Sequence, residues 1–219
     1  MRTRSPQLVA RQLRRMADAG VRQIQFVDNI FNIPREYALE LCREIAALDA
    51  DLAWQCILYP DDVDQELAEA MARAGCKTVS LGFEAGNDAM LRAYGKRFDS
   101  AQVRRVSDAL ATHDIRRFGF LLLGGPGETR DTVTQSLDFV ESLDLDMLRV
   151  TIGIRIYPGT PLAATAVAQG LITPDDDLLR PRFYMTPGLE DVIRREVAAR
   201  ELGGPPPASE PNSRSTDPV

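Results

Sequence analysis

Four short segments of this 219-residue chain hold the residue types that do chemistry, each at the end of an apolar run. Asp28-Asn29-Ile30-Phe31-Asn32 follows Ile24 to Val27, and Gly82-Phe83-Glu84-Ala85-Gly86 closes the run from Thr78. Gly124-Gly125-Pro126-Gly127-Glu128-Thr129 follows Phe118 to Leu123, and Arg155-Ile156-Tyr157-Pro158-Gly159-Thr160 ends the run from Met147. Carboxylates accept hydrogen bonds from ammonium and hydroxyl groups, and an arginine grips a carboxylate. Glycines after a strand let backbone N–H groups approach a ligand. Asp28 and Glu128 also read as helix caps. Glu84 has less need of that role, because it stands between two glycines at a strand end. Gly124 to Glu128 is not a dinucleotide fingerprint, since Pro126 occupies the place of its second glycine, and no phosphate-binding P-loop sequence occurs.

These segments need a scaffold that gathers them, and the periodicity supplies one. Ser5 and Pro6 cap and open a helix with Val9, Leu13 and Met16 on one face, stopped by Gly20. A short strand at 24–27 leads to a helix bearing Tyr37, Leu41, Ile45 and Leu48. A strand at 52–58 leads to a helix capped by Asp62, with Val63, Leu67, Met71 and Ala74 as its face. After the strand at 78–83 come helices at 88–94 and 100–112, the second striped by Val103, Val106 and Leu110. The strand at 118–123 precedes a helix marked by Val133, Leu137 and Val140. The last strand, 147–157, alternates apolar and polar residues over ten positions, which gives it one wet face. Alternation of this kind predicts an α/β fold of parallel strands joined by helical crossovers. Ligands of such folds bind beyond the carboxyl ends of the strands, where all four segments fall. The chain opens on a helix rather than a strand, as if it began inside a βα unit.

Composition narrows the function classes. The net charge is −6, which argues against nucleic acid or an anionic membrane as principal partner. No apolar run reaches the roughly 18 residues of a membrane span, and no apolar core behind Met1 suggests a signal peptide. The expected location is the cytoplasm. Cys42, Cys56 and Cys76 are odd in number and 14 and 20 residues apart, so they read as small buried apolar residues in a reducing compartment. The sole histidine, His113, ends a helix and rules out most histidine-based schemes. Residues 1–202 read as one domain. The tail, 203–219, has Val219 as its single aliphatic side chain larger than alanine and is expected to be disordered.

Taken in order, the segment Arg4-Ser5-Pro6 and the four rim sequences resemble the radical S-adenosylmethionine (radical SAM) superfamily, most closely its cobalamin-associated subgroup. The resemblance runs from about Thr3 to Leu189. It implies a partial TIM-like (βα)6 barrel with S-adenosylmethionine across the strand ends. In the family that nucleoside is bound to a 4Fe-4S cluster and cleaved to a 5′-deoxyadenosyl radical. By this resemblance Asp28 and Asn29 stand where the methionine amino group is held. Glu84 stands on the strand that contacts ribose or carboxylate. Leu123 and Gly124 lie beside the adenine, and Arg155 and Tyr157 near nucleoside or substrate.

One departure limits the expectation. The family holds its cluster on three cysteines in C-x-x-x-C-x-x-C, upstream of the Arg-Ser-Pro segment, and that motif does not occur in these 219 residues. The expected fold therefore lacks the strand of the first βα unit, and its newly bared edge predicts association or poor solubility. No metal ligand and no catalytic residue is assigned to this chain. A cluster-bearing or cobalamin-binding segment in trans is a possible partner, with a small-molecule substrate of unknown identity. Two other readings stay open: a non-catalytic barrel kept for SAM binding or assembly, and an unrelated aldolase or isomerase using Asp28, Glu84 or Glu128. The second lacks a well-placed base, since neither Lys77 nor Lys96 ends a strand.

Overall fold

A computed structural model describes residues 3–202 of the chain; the tail expected to be disordered, 203–219, lies outside the described residues. Helix α1 (Pro6–Asp18) begins as its sequence requires, with Ser5 accepting from the Leu8 N–H at 3.3 Å and Pro6 in the first turn. It buries Ala10, Leu13 and Ala17, whereas Met16, expected on the apolar face, is exposed. Strand β1 (Gln23–Gln25) is shorter than the apolar run predicted. After it come α2 (Arg35–Ala46), β2 (Ala53–Leu58) and α3 (Gln65–Arg73). The cap of α3 is Asp64, accepting from Leu67 N–H at 3.0 Å, not Asp62. Asp62 instead takes a left-handed turn conformation, φ 54°, which leaves Val63 ahead of the helix.

Strand β3 (Cys76–Glu84) is followed by α4 (Asp88–Ala93), α5 (Ser100–Thr112), β4 (Arg116–Leu123) and α6 (Arg130–Glu141). His113 is the C-cap of α5, as its position in the sequence suggested. Next comes β5 (Met147–Ile152). The long final strand expected from its alternation is broken at Gly153, whose φ of 86° turns the chain. Beyond it the two-residue β6 (Ile154–Arg155) leaves the sheet, and α7 (Pro161–Ala168) follows. β6 then pairs antiparallel with β7 (Phe183–Tyr184), and α8 (Glu190–Ala199) is the last helix described.

The main sheet has the order β1-β2-β3-β4-β5, with every pairing parallel. Sequential order with one helix layer is the arc of a (βα) barrel rather than a doubly wound sheet, which reverses direction part-way. In register, Gln55 lies beside Thr78 and Thr78 beside Arg116, while Phe118 lies beside Met147 and Phe120 beside Arg149. Trp54, Cys56, Leu58, Val79, Leu81, Phe83, Leu121 and Leu123 alternate with these residues and are buried under the helices. Truncating Leu58, Leu81, Leu121 or Leu123 to alanine costs about 2–5 kcal/mol. The opposite, concave face carries Gln55, Ile57, Ser80, Phe118, Phe120 and Arg149, all partly or fully exposed.

Parallel order puts the carboxyl ends of all five strands on one rim, so the expected fold class holds and the segments after β1, β3 and β4 follow strand ends there; Arg155 to Thr160, expected to end the fifth sheet strand, instead lies beyond the turn at Gly153, outside the main sheet. β1 has a sheet partner on one side only, β2. Among the described residues no helix is long and apolar enough to cross a membrane.

Candidate functional site

The centre of the rim is the end of β3. Glu84 has φ 71°, a left-handed conformation uncommon for a residue with a Cβ and one that occurs preferentially at functional sites. Its β3–β4 register is irregular just before this point. The side chain folds back over the strand: a Cβ added at Gly82 would lie 3.3 Å from Oε1, so glycine leaves the room the carboxylate occupies. Gly86, the second flanking glycine, serves packing. A Cβ there would come within 2.7 Å of Phe139 Cβ and 2.9 Å of Ser136 Cα on α6.

Glu84 has a cationic partner that sequence reasoning missed. Lys96 Nζ stands 3.8 Å from Glu84 Oε1 and donates to the Gly82 carbonyl at 3.3 Å. The lysine stem crosses an aromatic wall, with Nζ 6.0 Å from the Tyr59 ring centre and 5.9 Å from that of Phe98. Burial pushes the Glu84 carboxyl above its usual value, and the Lys96 charge opposes that rise. Sequence gave one clue, the placement of one of only two lysines directly after Gly95 at the end of α4. Its approach to Glu84 across 12 residues is a tertiary event that no local pattern reports.

Beside this pair lies the Gly124–Glu128 turn. Glu128 is buried, and its Oε2 accepts from the N–H groups of Gly124 and Gly125. It therefore braces the turn and does not cap α6; Thr129 does that, in a reciprocal capping box with Thr132. Tyr94 meets the same turn, since a Cβ at Gly125 would overlap its hydroxyl. Tyr94 Oη and Glu128 Oε1 are the two buried side-chain atoms without a hydrogen-bond partner among the described residues.

Burial raises the Glu128 carboxyl, against the two N–H bonds that favour its charged form. A folded-state value above the unfolded one means that the folded protein holds the extra proton. Stability therefore falls as pH rises from the ordinary glutamate value, about 4.3, through the raised one. Glutamine keeps an oxygen for the two N–H groups and removes the charge. In Glu128→Gln, circular dichroism melts should show a flatter decline of melting temperature above pH 4, with no loss at pH 7. An unchanged slope would contradict the assignment.

The other sequence-predicted residues form three groups, two of them on the same rim. Leu123 and Gly124 lie two and three residues past Leu121, the β4 partner of Glu84. The Leu123 side chain is fully buried under the helices, and only its backbone reaches the rim. The Gly124 carbonyl accepts from Thr186 N–H at 2.9 Å. Asp28 and Asn29 lie after β1, two strands away, both exposed in the loop before α2. Asp28 caps no helix. It lines a cleft of about 740 Å³ with Arg4, Gln12, Phe26 and Tyr37. Arg155 and Tyr157 stack on each other, the guanidinium carbon 4.9 Å from the ring centre, but sit past Gly153 on the strand that leaves the sheet.

The three cysteines are buried on the helix side of β2, β3 and α2, as their spacing suggested. Burial raises the Cys42 thiol to about 12 and lifts that of Cys56, with the neighbouring Cys76 adding to the rise, well above its usual value. Thiols held protonated away from the rim do not suit a cluster that binds thiolates. Among the described residues no group of three His, Cys, Asp or Glu is placed to hold a metal ion.

Comparison with known proteins decides the family. The model of the Radical SAM superfamily matches residues 1–140, well over half the chain. The chain belongs to the radical SAM superfamily. Among curated relatives, it is 25% identical over 184 residues to an uncharacterised methyltransferase of Pyrococcus horikoshii, covering 80% of this chain and 40% of that protein. It is 27% identical over 175 residues to tryptophan 2-C-methyltransferase of Streptomyces laurentii, covering 74% and 29%. The radical SAM methyltransferase TsrM of Kitasatospora setae, solved with cobalamin and a 4Fe-4S cluster bound, superposes with a TM-score of 0.70 at 25% identity, covering 76% of this chain and 32% of that one. The chain thus spans less than half the length of these relatives.

Proposed function

We propose that the rim formed by the ends of β1, β3 and β4 binds S-adenosylmethionine, and that this chain is the nucleoside-binding core of a radical SAM enzyme. The single observation that carries the reading is Glu84. It is a strained, half-buried carboxylate at a parallel strand end, paired with Lys96, beside a glycine turn held open by Glu128. A carboxylate so placed accepts two ribose hydroxyls in a bidentate manner. Asp28, exposed and in no ion pair within 4 Å among the described residues, suits the ammonium of the methionine moiety. The Gly124–Gly125 turn offers a flat edge to the adenine, and Arg155 with Tyr157 suits a ligand carboxylate farther along the rim.

The cluster is a different matter, because the three thiols do not fit it. In this reading the iron and its ligands come from a cluster-bearing segment outside these residues or from a partner chain. Cobalamin, which TsrM binds, would likewise be supplied from outside them. What these residues do themselves is bind the nucleoside, fix its orientation and cover its apolar face. A second reading, a SAM-binding barrel without chemistry of its own, is favoured by the same protonated, inward-facing thiols. The acid–base aldolase reading gains Lys96 near a carboxylate, but that lysine is engaged in an ion pair. Backbone amide shifts recorded during a titration with S-adenosylmethionine test the proposal.

A further inference from the structure

Resting on the assignment of Glu84 to the nucleoside, we propose that Lys96 is a positioning residue that keeps the Glu84 carboxylate ionised and aimed along the rim. The lysine is fixed before any ligand arrives. Gly95, φ 68°, ends α4 in the left-handed conformation, with Gly95 N–H bound to Arg92 O at 3.0 Å and Lys96 N–H to Leu91 O at 2.9 Å. The next residues hold the loop down. Arg97 N–H donates to the Tyr59 hydroxyl at 3.2 Å, and the buried Phe98 ring packs edge-on against Tyr59 at 4.9 Å. The Lys96 stem therefore lies in an aromatic slot, and its ammonium is desolvated on one side.

The geometry makes the ammonium a brace rather than a ligand grip. Its hydrogen bond goes to the Gly82 carbonyl, two residues before Glu84 on the same strand, and its charge reaches Glu84 Oε1 at 3.8 Å. The pair is mostly shielded, with the two side chains 18% and 24% exposed, so solvent screens it less than a surface ion pair. Without the cation, burial alone acts on Glu84, and a neutral carboxyl loses one of its two acceptor oxygens. Among the described residues the titratable groups that face Glu84 are Lys96 from the loop after α4 and Tyr94 from the end of that helix. Tyr94 also feels Glu128, and burial keeps its hydroxyl protonated. Among the described residues Lys96 is thus the one cation bearing on the carboxylate.

The test follows the Glu84 carboxyl carbon by NMR in ¹³C-glutamate-labelled full-length protein, with Glu84→Gln identifying the signal. Lys96→Met keeps the stem that fills the aromatic slot and removes the charge. Its Glu84 midpoint should rise by about 1–2 pH units, and Lys96→Arg should restore the wild-type value. The second readout is affinity for S-adenosylmethionine against pH. Lys96→Met should lose about tenfold in affinity per pH unit below its new midpoint and regain it above, while the wild type stays flat there. An unmoved midpoint in a folded Lys96→Met protein overturns the inference whatever the nucleoside does. Failure of the wild type to bind the nucleoside overturns the functional reading instead, and the midpoint still decides the role of Lys96.

Discussion

Glu84→Gln should weaken S-adenosylmethionine binding by about 10- to 100-fold while leaving the fold intact. The magnitude follows from what is removed. A charge-assisted hydrogen bond contributes about 1.5–3 kcal/mol, and the bidentate acceptor becomes an amide with one acceptor and two donors. The fold should survive because the carboxylate is not part of the core. It lies on the concave face, half-buried, and its burial is a cost that the neutral amide relieves. Relief of that cost and loss of the Lys96 attraction act in opposite directions, so the melting temperature should move by only a few degrees. Calorimetric titration gives the affinity, and thermal melts give the stability. Equal affinities in the two proteins would remove Glu84 from the site. A large fall in melting temperature would make it a structural residue.

The second large effect concerns iron. Anaerobic reconstitution of this 219-residue chain with iron and sulfide should leave it colourless, with iron well below one cluster per chain. The reason lies in the thiols. Cys42 and Cys56 are almost wholly buried in apolar surroundings on the helix side of the sheet, and burial keeps both protonated. To bind a cluster they would have to lose protons and break the packing of α2 on β2 and β3. Triple replacement of Cys42, Cys56 and Cys76 by alanine should therefore not change the iron content. Stoichiometric iron and sulfide with a visible charge-transfer band, lost in the triple variant, would show that the core rearranges to ligate metal.

Much of the scaffold was legible because its signals are local. Ser5 and Pro6 cap and open their helix where the sequence put them, and helical stripes such as Leu67 and Met71 or Val103, Val106 and Leu110 are buried. Gathering the segments after β1, β3 and β4 on one rim needed only the rule that parallel strands expose their carboxyl ends together. The failures have different causes. Asp62 and Asp64 both have capping side chains, and the choice depended on backbone geometry two residues apart. The alternation of Leu148 to Ile156 continues across Gly153, so periodicity alone did not reveal that the chain turns there and pairs with β7. Glu128 was ambiguous between cap and site because only the folded turn shows its oxygen beneath the Gly124 and Gly125 amides. Lys96 was dismissed for not ending a strand, a criterion blind to a loop that folds back from α4 onto β3.

The direct measurement is the map of amide shifts as S-adenosylmethionine is added to the ¹⁵N-labelled protein. The account predicts saturable shifts at Asn29, Glu84, Ala85, Gly124 and Gly125, with little change at the other sheet edge, around Gln23, Ala53, Thr78 and Arg116. Half-saturation near 0.1 mM would correspond to about −5.5 kcal/mol of binding free energy, a reasonable value for a nucleoside held without its cluster. Shifts confined to the opposite edge, or none in a cooperatively folded protein at saturating nucleoside, would contradict it.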